Sequence, residues 1–166
     1  MSKVFKYCIF MTIVLGCCTG LFGQKFGLEF NMPQGIMYQN KWGFFHDGVE
    51  LSVNYRIPTE HVDCVVGINM RTIDWGSQIS VSTGLSYNVA DKTDLQFELH
   101  NGLALFHGKP LYAYSIGSAC RFQVYHKVRF HMGLSVGARF THCPAYKHYG
   151  SINRVFEIPI GLFMKF

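Results

Sequence analysis

Long apolar runs are missing from most of this 166-residue chain. After the first two dozen residues, no stretch approaches the roughly 20 consecutive apolar residues that a transmembrane helix needs. Hydrophobic residues nevertheless make up 49% of the sequence, so they are dispersed along the chain. The sequence therefore excludes membrane-spanning helices from the body of this single-domain-sized protein.

Charge and proline are also scarce, at 15% charged residues and five prolines. The 15 lysines and arginines are scattered singly, without a basic cluster. This distribution is not typical of a nucleic-acid-binding surface, and we expect no nucleic-acid partner.

Cysteine usage points to no disulfide framework and no metal centre. Three of the six cysteines lie among the first two dozen residues, and Cys64, Cys120 and Cys143 remain. Three is an odd number, and their spacing matches no metal motif. We expect them to behave as small hydrophobic side chains, packed or facing lipid.

The N-terminal segment is typical of a secretory signal peptide. Lys3 and Lys6 precede an apolar stretch at 7–15, and small residues follow at 16–23. We expect export, with residues 1–23 forming the leader and residues 24–166 the mature domain.

The cleavage point has two candidates, after Gly20 or after Gly23. The second would place bulky Leu21 three residues before the cut, where signal peptidases require a small side chain. An uncleaved anchor is an alternative that the short apolar stretch disfavours. Residues 14–17 resemble a lipobox, so lipidation of Cys17 is a further alternative.

Beyond residue 23, apolar side chains recur at every second position, which is the repeat of a β-strand with two different faces. Eight segments show this alternation, most of them near ten residues long, the length at which a tilted strand crosses a bilayer. They cover residues 25–32, 49–56, 62–71, 79–88, 95–105, 112–124, 128–140 and 156–166. Turn residues at 74–77, 90–93 and 107–110 connect neighbours closely, which predicts an antiparallel up-and-down meander.

The composition of the two faces decides which one points inward. The apolar rows carry Leu, Ile, Val, Met and Phe without lysine or arginine, which would cost about 2–4 kcal/mol at the bilayer midplane. The other rows combine Gly, Ser and Ala with charged residues, which suits the narrow interior of an eight-stranded barrel. We therefore predict an all-β fold, an eight-stranded antiparallel up-and-down transmembrane β-barrel with lipid around it.

The last strand carries a more specific signal. Ile160, Leu162, Met164 and the terminal Phe166 alternate with other residues at the end of the chain. This ending resembles the C-terminal signal of the small eight-stranded outer-membrane β-barrel proteins of Gram-negative bacteria. The resemblance covers the whole mature chain and implies an integral outer-membrane protein whose last strand is recognised by the barrel-assembly machinery.

The polar rows predict a charged network inside the barrel, in which opposite charges pair and fill the lumen. We expect no continuous channel through it. The predicted members are Glu29, Glu50, Asp63, Arg71, Glu98, Arg121, Arg129, Arg139 and Glu157. With both chain ends periplasmic, the long connections near 33–48 and 141–153 become extracellular loops available for recognition.

These observations favour a structural or interaction protein that presents extracellular loops to a ligand or surface, without catalysis and without a cofactor. A narrow pore, or a carrier that admits small hydrophobic molecules through a side opening, is the alternative. A third possibility is a lipid-modifying enzyme of the outer membrane, because some small outer-membrane barrels modify lipid A with a serine, a histidine and a carboxylate. The side chains available for that chemistry are Ser82, Ser86, Glu98, His100, His131 and Ser135.

Two local features stay open. His142, Cys143 and His148 could hold a metal ion, but their spacing is loose and a solvated loop is the commoner explanation. Asn101 and Ser118 interrupt the apolar rows, and we expect a β-bulge at Asn101-Gly102 because glycine in a strand often marks one.

Overall fold

The computed structural model describes residues 26–38, 41–46, 48–73, 76–127, 130–144 and 154–166. The leader, residues 1–23, lies outside the described residues. Nine strands occupy most of them: β1 (Phe26–Tyr38), β2 (Lys41–His46), β3 (Val49–Ile57), β4 (Asp63–Ile73), β5 (Gly76–Ala90), β6 (Thr93–Phe106), β7 (Lys109–Lys127), β8 (Phe130–His142) and β9 (Arg154–Lys165). The described residues hold no helix of the length and apolarity needed to cross a membrane.

All strand pairs are antiparallel, and the sheet closes on itself. From β3 to β9 each strand pairs with the next one along the chain, and β9 pairs back with β1. Both β2 and β3 pair with β1, β3 along its first half and β2 along its second, so together they form one position in the wall. The result is the eight-stranded antiparallel up-and-down barrel that the alternation predicts, and this prediction is confirmed.

The two faces of the wall have the opposite character to those of a soluble barrel. Large apolar side chains are exposed outside on every strand from β3 to β9. Charged and amide side chains are buried inside, together with serines such as Ser80, Ser82 and Ser135. A barrel of eight strands has an interior just wide enough to be filled by side chains, so this polarity makes the lumen a polar core.

The strands extend beyond the predicted segments at one end. Residues 33–48, predicted as a loop, contain the second half of β1 and the whole of β2, which pair from Gln34↔His46 to Tyr38↔Lys41. At 141–153, β8 continues to His142 and β9 begins at Arg154. The loop predictions were therefore too long, because strand pairing continues past the positions where the apolar alternation stops.

The short connections are tight turns. His107 and Gly108 link β6 to β7 and both have positive φ, 46° and 75°. Positive φ at both central residues defines the type I′ turn, whose twist matches that of a two-residue hairpin. Asp91 and Lys92 form the two-residue turn that links β5 to β6.

The predicted bulge at Asn101-Gly102 is wrong. Both ladders of β6 run through Asn101 without a shift, and its side-chain Oδ1 accepts a hydrogen bond of 2.7 Å from the Tyr112 hydroxyl on the outer face. That bond satisfies the amide oxygen without breaking the ladder. Irregularities occur instead near Gly35, near Asn88 and between Gln123 and Tyr125.

Candidate functional site

The lumen contains the chain's main concentration of buried charge, and its two ends differ. We call the end that carries Phe26, the turn at 91–92 and Phe166 the termini end. The opposite end, which carries the turn at 107–108 and the connection between β8 and β9, is the loop end. Three groups of charged side chains succeed one another between these ends.

The group nearest the loop end is centred on Glu157 of β9, which is fully buried. Arg71 of β4 donates to both of its oxygens, at 2.7 and 3.3 Å, and Arg139 Nε donates at 3.0 Å. Thr141 Oγ1 adds a third donor at 3.0 Å. Arg139 also donates to Glu50 of β3 at 2.9 Å, so the group ties four strands together.

The middle group is centred on Arg121 of β7. Its guanidinium donates to Glu29 of β1 and, at 3.3 Å, to Glu98 of β6. Glu98 Oε2 lies 2.9 Å from His100 Nε2, and Ser135 Oγ donates to Glu29 Oε1 at 2.7 Å. Each carboxylate therefore has both a charged and a neutral partner.

The group nearest the termini end is centred on Asp94 of β6. Lys165 Nζ donates to its Oδ2, and Arg56 Nη2 lies 3.5 Å from the same oxygen. Arg56 also reaches Asp63 Oδ2 at 3.7 Å and donates to Ser86 Oγ at 3.2 Å. This group forms the polar floor below the mouth of the barrel.

Positive and negative side chains nearly balance over the three groups. Among the described lumen residues, six carboxylates meet five permanent cations, and the imidazole of His100 lies beside Glu98. A buried charge is tolerated only when it is paired and hydrogen-bonded, so this balance is what allows so many charges inside one barrel.

Little space remains between these side chains. A cavity beside Glu29, Glu98 and Arg139 has a volume of about 20 Å³. Another, beside Arg56 and Arg121, has about 10 Å³. Volumes of this size accommodate about one water molecule each, so the described lumen is a filled core.

An apolar cluster lies inside the barrel toward the loop end. It is made by Ala104 and Phe106 of β6, Ala113 of β7, Val155 of β9 and Cys143, with Leu111 packed against it. Toward the termini end, the fully buried Phe163 of β9 fills the interior beside Gly133, where a Cβ atom would lie 2.8 Å from the Phe163 ring. Phe163 is an inward aromatic residue that the sequence analysis did not single out.

Eight of the nine predicted lumen residues lie in these groups, in the positions described above, and Arg129 lies outside the described residues. The sequence analysis missed Arg56, Asp94 and Lys165 as members. Asp94 was missed because the fifth segment was started at Leu95. Extending the inward row of Gln96 and Glu98 by two residues would have found Asp94.

The candidate catalytic side chains do not form a nucleophile–base pair. His100 Nε2 lies against Glu98, and no serine hydroxyl among the described residues lies within hydrogen-bond distance of its ring. Ser135 donates its proton to Glu29, while Ser86 accepts from Arg56. His131 Nδ1 lies 3.1 Å from Gln123 Oε1 at the termini end.

The candidate metal ligands near the loop end are separated. Cys143 is buried in the apolar cluster, whereas the His142 ring stacks on Tyr114 with centroids 4.9 Å apart. His148 lies outside the described residues. His142 and Cys143 therefore do not converge on one point.

The residues of the C-terminal signal lie along the outer face of β9. Ile160 and Leu162 are exposed there, Met164 is half-buried, and Phe166 is buried. The Phe166 ring packs on Phe130 at 5.4 Å between centroids, and its backbone N–H donates to Phe26 O. The last residue thus joins the first described strand.

The largest cavity described lies at the termini end and has a volume of about 580 Å³. We call it the vestibule. Its polar lining includes Arg56, Asp63, Asp91, Gln123, His126, His131 and Lys165. Arg56 and Lys165 line both the vestibule and the small cavity of about 10 Å³, so the vestibule borders the charged core.

Comparison of the sequence with protein-family models and with curated proteins gives no match. Among solved structures, the barrel is similar to the crystal structure of Ail, the attachment invasion locus protein of Yersinia pestis, with a TM-score of 0.53. The alignment covers 88% of this chain and all of that one, at 11% identity. A de novo designed transmembrane β-barrel aligns over 84% of this chain and 95% of its own, at 14% identity and a TM-score of 0.43. The likeness to Ail shows a shared fold, that of a small outer-membrane β-barrel.

Removal of one member of the loop-end group should destabilise the barrel strongly. Arg139→Met leaves Glu50 without its donor and removes one of the two cations beside Glu157. We expect a loss of about 3–5 kcal/mol in the free energy of unfolding, the usual cost of breaking a buried ion pair. Urea titration of the barrel in lipid vesicles measures it, with Arg154→Met as control because Arg154 is exposed at the start of β9. Equal effects of the two substitutions would show that the lumen charges are solvated.

Proposed function

We propose that this protein is an integral outer-membrane barrel with a structural or interaction role, which neither conducts ions nor catalyses a reaction. It presents its loop end to a ligand or surface outside the cell. The observation that carries the proposal is the combination of a filled, charge-paired lumen with a continuous apolar exterior. Such a molecule is stable only where hydrocarbon surrounds it.

The exterior supports the membrane location. Mid-strand positions such as Ile68, Val81 and Ile116 expose more than half of their side-chain surface. In water such a belt would exceed the largest apolar patches of ordinary soluble monomers. The outer membrane is favoured over other membranes because the leader predicts export and the last strand resembles the outer-membrane assembly signal. The barrel-assembly machinery is then the partner during biogenesis, and outer-membrane lipid surrounds the finished barrel.

The lumen supports a role without transport. An ion path would need a continuous open space along the barrel axis. The cavities beside the charged side chains have volumes of only about 20 and 10 Å³. The first of these cavities is lined by Ser118, Ala138 and Pro159 of the wall as well as by lumen residues. A side opening into the lumen would have to pass between such wall residues. At that size the cavity does not admit a small hydrophobic molecule.

The loop end supports an interaction role. The connection between β8 and β9, residues 143–153, is the longest one at that end, and the hairpin of β1 and β2 extends there as well. The description "attachment invasion locus protein" applies to Ail and does not by itself assign a role to this chain. For this chain the role rests on the presence of these two elements at the loop end, because barrel loops are the usual positions of recognition residues.

The membrane assignment predicts a penalty for charge that depends on depth. Ile68 lies at the middle of β4, and Val89 lies near the termini end of β5, with 57% and 58% of their surfaces exposed. We expect Ile68→Arg to cost about 2–4 kcal/mol in vesicles and Val89→Arg about 0–1 kcal/mol. Folding titrations in lipid vesicles measure both. Similar small costs would mean that water surrounds the barrel.

The filled lumen predicts the absence of a stable channel. We expect the purified barrel to give no discrete conductance steps in a planar bilayer, even after Arg71→Ser or Arg139→Ser. Electrophoresis with and without heating is the control for folding. A folded barrel changes mobility on heating, because a closed barrel has no free edge from which to unravel. Regular conductance steps that change with either substitution would support the gated-pore alternative.

The orientation predicts which connections antibodies reach on intact cells. A peptide epitope inserted within 145–153 should be accessible, whereas the same epitope at 58–62, the connection between β3 and β4 at the termini end, should not. Flow cytometry before and after permeabilisation compares the two. The reverse pattern would place the termini end outside and would refute the proposed role of the loop end.

A further inference from the structure

Two histidines meet at the vestibule in a geometry that none of the functions above uses. His126 of β7 and His131 of β8 are directly opposite each other in the register of the two strands. Their rings lie 4.1 Å apart between centroids, at an interplanar angle of 52°. Directly opposite side chains in an antiparallel pair have Cβ atoms about 4.5–5.5 Å apart, so two imidazoles at such a pair can reach one ion.

A β-bulge is what points His126 into the vestibule. The register between β7 and β8 shifts from Gln123↔Gly133 to Tyr125↔Met132, which leaves Val124 as the extra residue with 73% of its surface exposed. In an unbroken ladder His126 would pair with Phe130 and face outward. A bulge leaves a residue unpaired in the ladder, and bulges are typical of positions where a side chain is re-aimed beside a site.

Gln123 determines which ring nitrogen of a neutral His131 carries the proton. Its side-chain oxygen accepts a hydrogen bond from His131 Nδ1, at 3.1 Å. The proton of the neutral imidazole therefore lies on Nδ1, and the lone pair lies on Nε2. Metal-ligating histidines are commonly oriented in this way by a neighbouring oxygen acceptor.

The electrostatics of the vestibule tolerate a cation. Arg56 and Lys165 are the cations that line it, and Asp63 and Asp91 are the matching carboxylates. Asp94, directly behind Arg56 and Lys165, pairs with both and adds a further negative charge. The carboxylates therefore offset the two cations that line the vestibule.

From this geometry we propose that His126 and His131 bind a divalent transition metal ion of the class that prefers imidazole, such as Zn²⁺, Ni²⁺ or Cu²⁺. No group of three or more His, Cys, Asp or Glu side chains lies at metal-binding distances within the described ranges of the chain. The site thus has two protein ligands, and water completes the coordination. The coordination positions that the protein leaves open face the vestibule. The proposed metal site is independent of the interaction role proposed for the loop end.

Zinc titration of the folded barrel tests this proposal. The sample is the full-length protein in detergent micelles without a histidine tag, and isothermal calorimetry with Zn²⁺ alone measures affinity and stoichiometry. We expect one ion per chain, with His126→Ala and His131→Ala each weakening binding about tenfold or more. Gln123→Leu should weaken it by about 10-fold to 100-fold as well, because it removes the acceptor that orients His131. Binding should fall as pH drops below about 6.5, where imidazoles become protonated.

His61→Ala is the matched control, because it removes an exposed imidazole at the same end of the barrel, from the connection between β3 and β4. It should leave Zn²⁺ affinity unchanged. Heat-modifiable mobility identifies the variants that remain folded. Equal Zn²⁺ affinity of the wild type and the His126→Ala/His131→Ala double variant would overturn the proposal, and so would the absence of saturable binding by the wild type.

Discussion

The pairing of β1 with β9 is the contact on which the rest of the structure depends. It runs from Gly27↔Lys165 to Met37↔Phe156 and turns an eight-strand meander into a closed wall. In hydrocarbon every backbone N–H and C=O must find a partner within the protein, and closure is how a sheet achieves this. The Phe166 N–H donating to Phe26 O continues the same seam to the last residue.

Closure at eight strands also fixes what the interior contains. The lumen is too narrow for a water-filled channel, so side chains must fill it, and the inward rows contribute charged ones from almost every strand. Arg139, for example, joins carboxylates of β3 and β9, while Arg121 joins those of β1 and β6. Of these pairs, Arg139–Glu50 and Arg121–Glu29 connect strands that share no backbone ladder. They therefore specify the relative positions of opposite walls as well as neutralising charge.

The two ends of this core differ, and that difference directs the functional interpretation. An apolar cluster that includes Phe106 and Val155 lies toward the loop end, whereas a polar vestibule opens at the termini end. In the proposed function, recognition outside the cell belongs to the strands at the loop end and to the connection 143–153. The vestibule, with its His126–His131 pair, is a separate surface on the opposite side, and its chemistry is that of ion binding.

The sequence by itself determined eight of the nine described strands, the number of wall positions, the antiparallel order and the polarity of the two faces. A period of two over ten residues is a local property that each segment carries alone. Only the tertiary structure decided which inward charges meet, since Arg71 and Glu157 are 86 positions apart and become neighbours through closure. The same holds for Phe163, whose burial depends on Gly133 of the adjacent strand. It holds most clearly for His126, which strict alternation places on the outer face. A single extra residue at Val124 reverses its direction, and the pairing partner that makes this visible is on another strand.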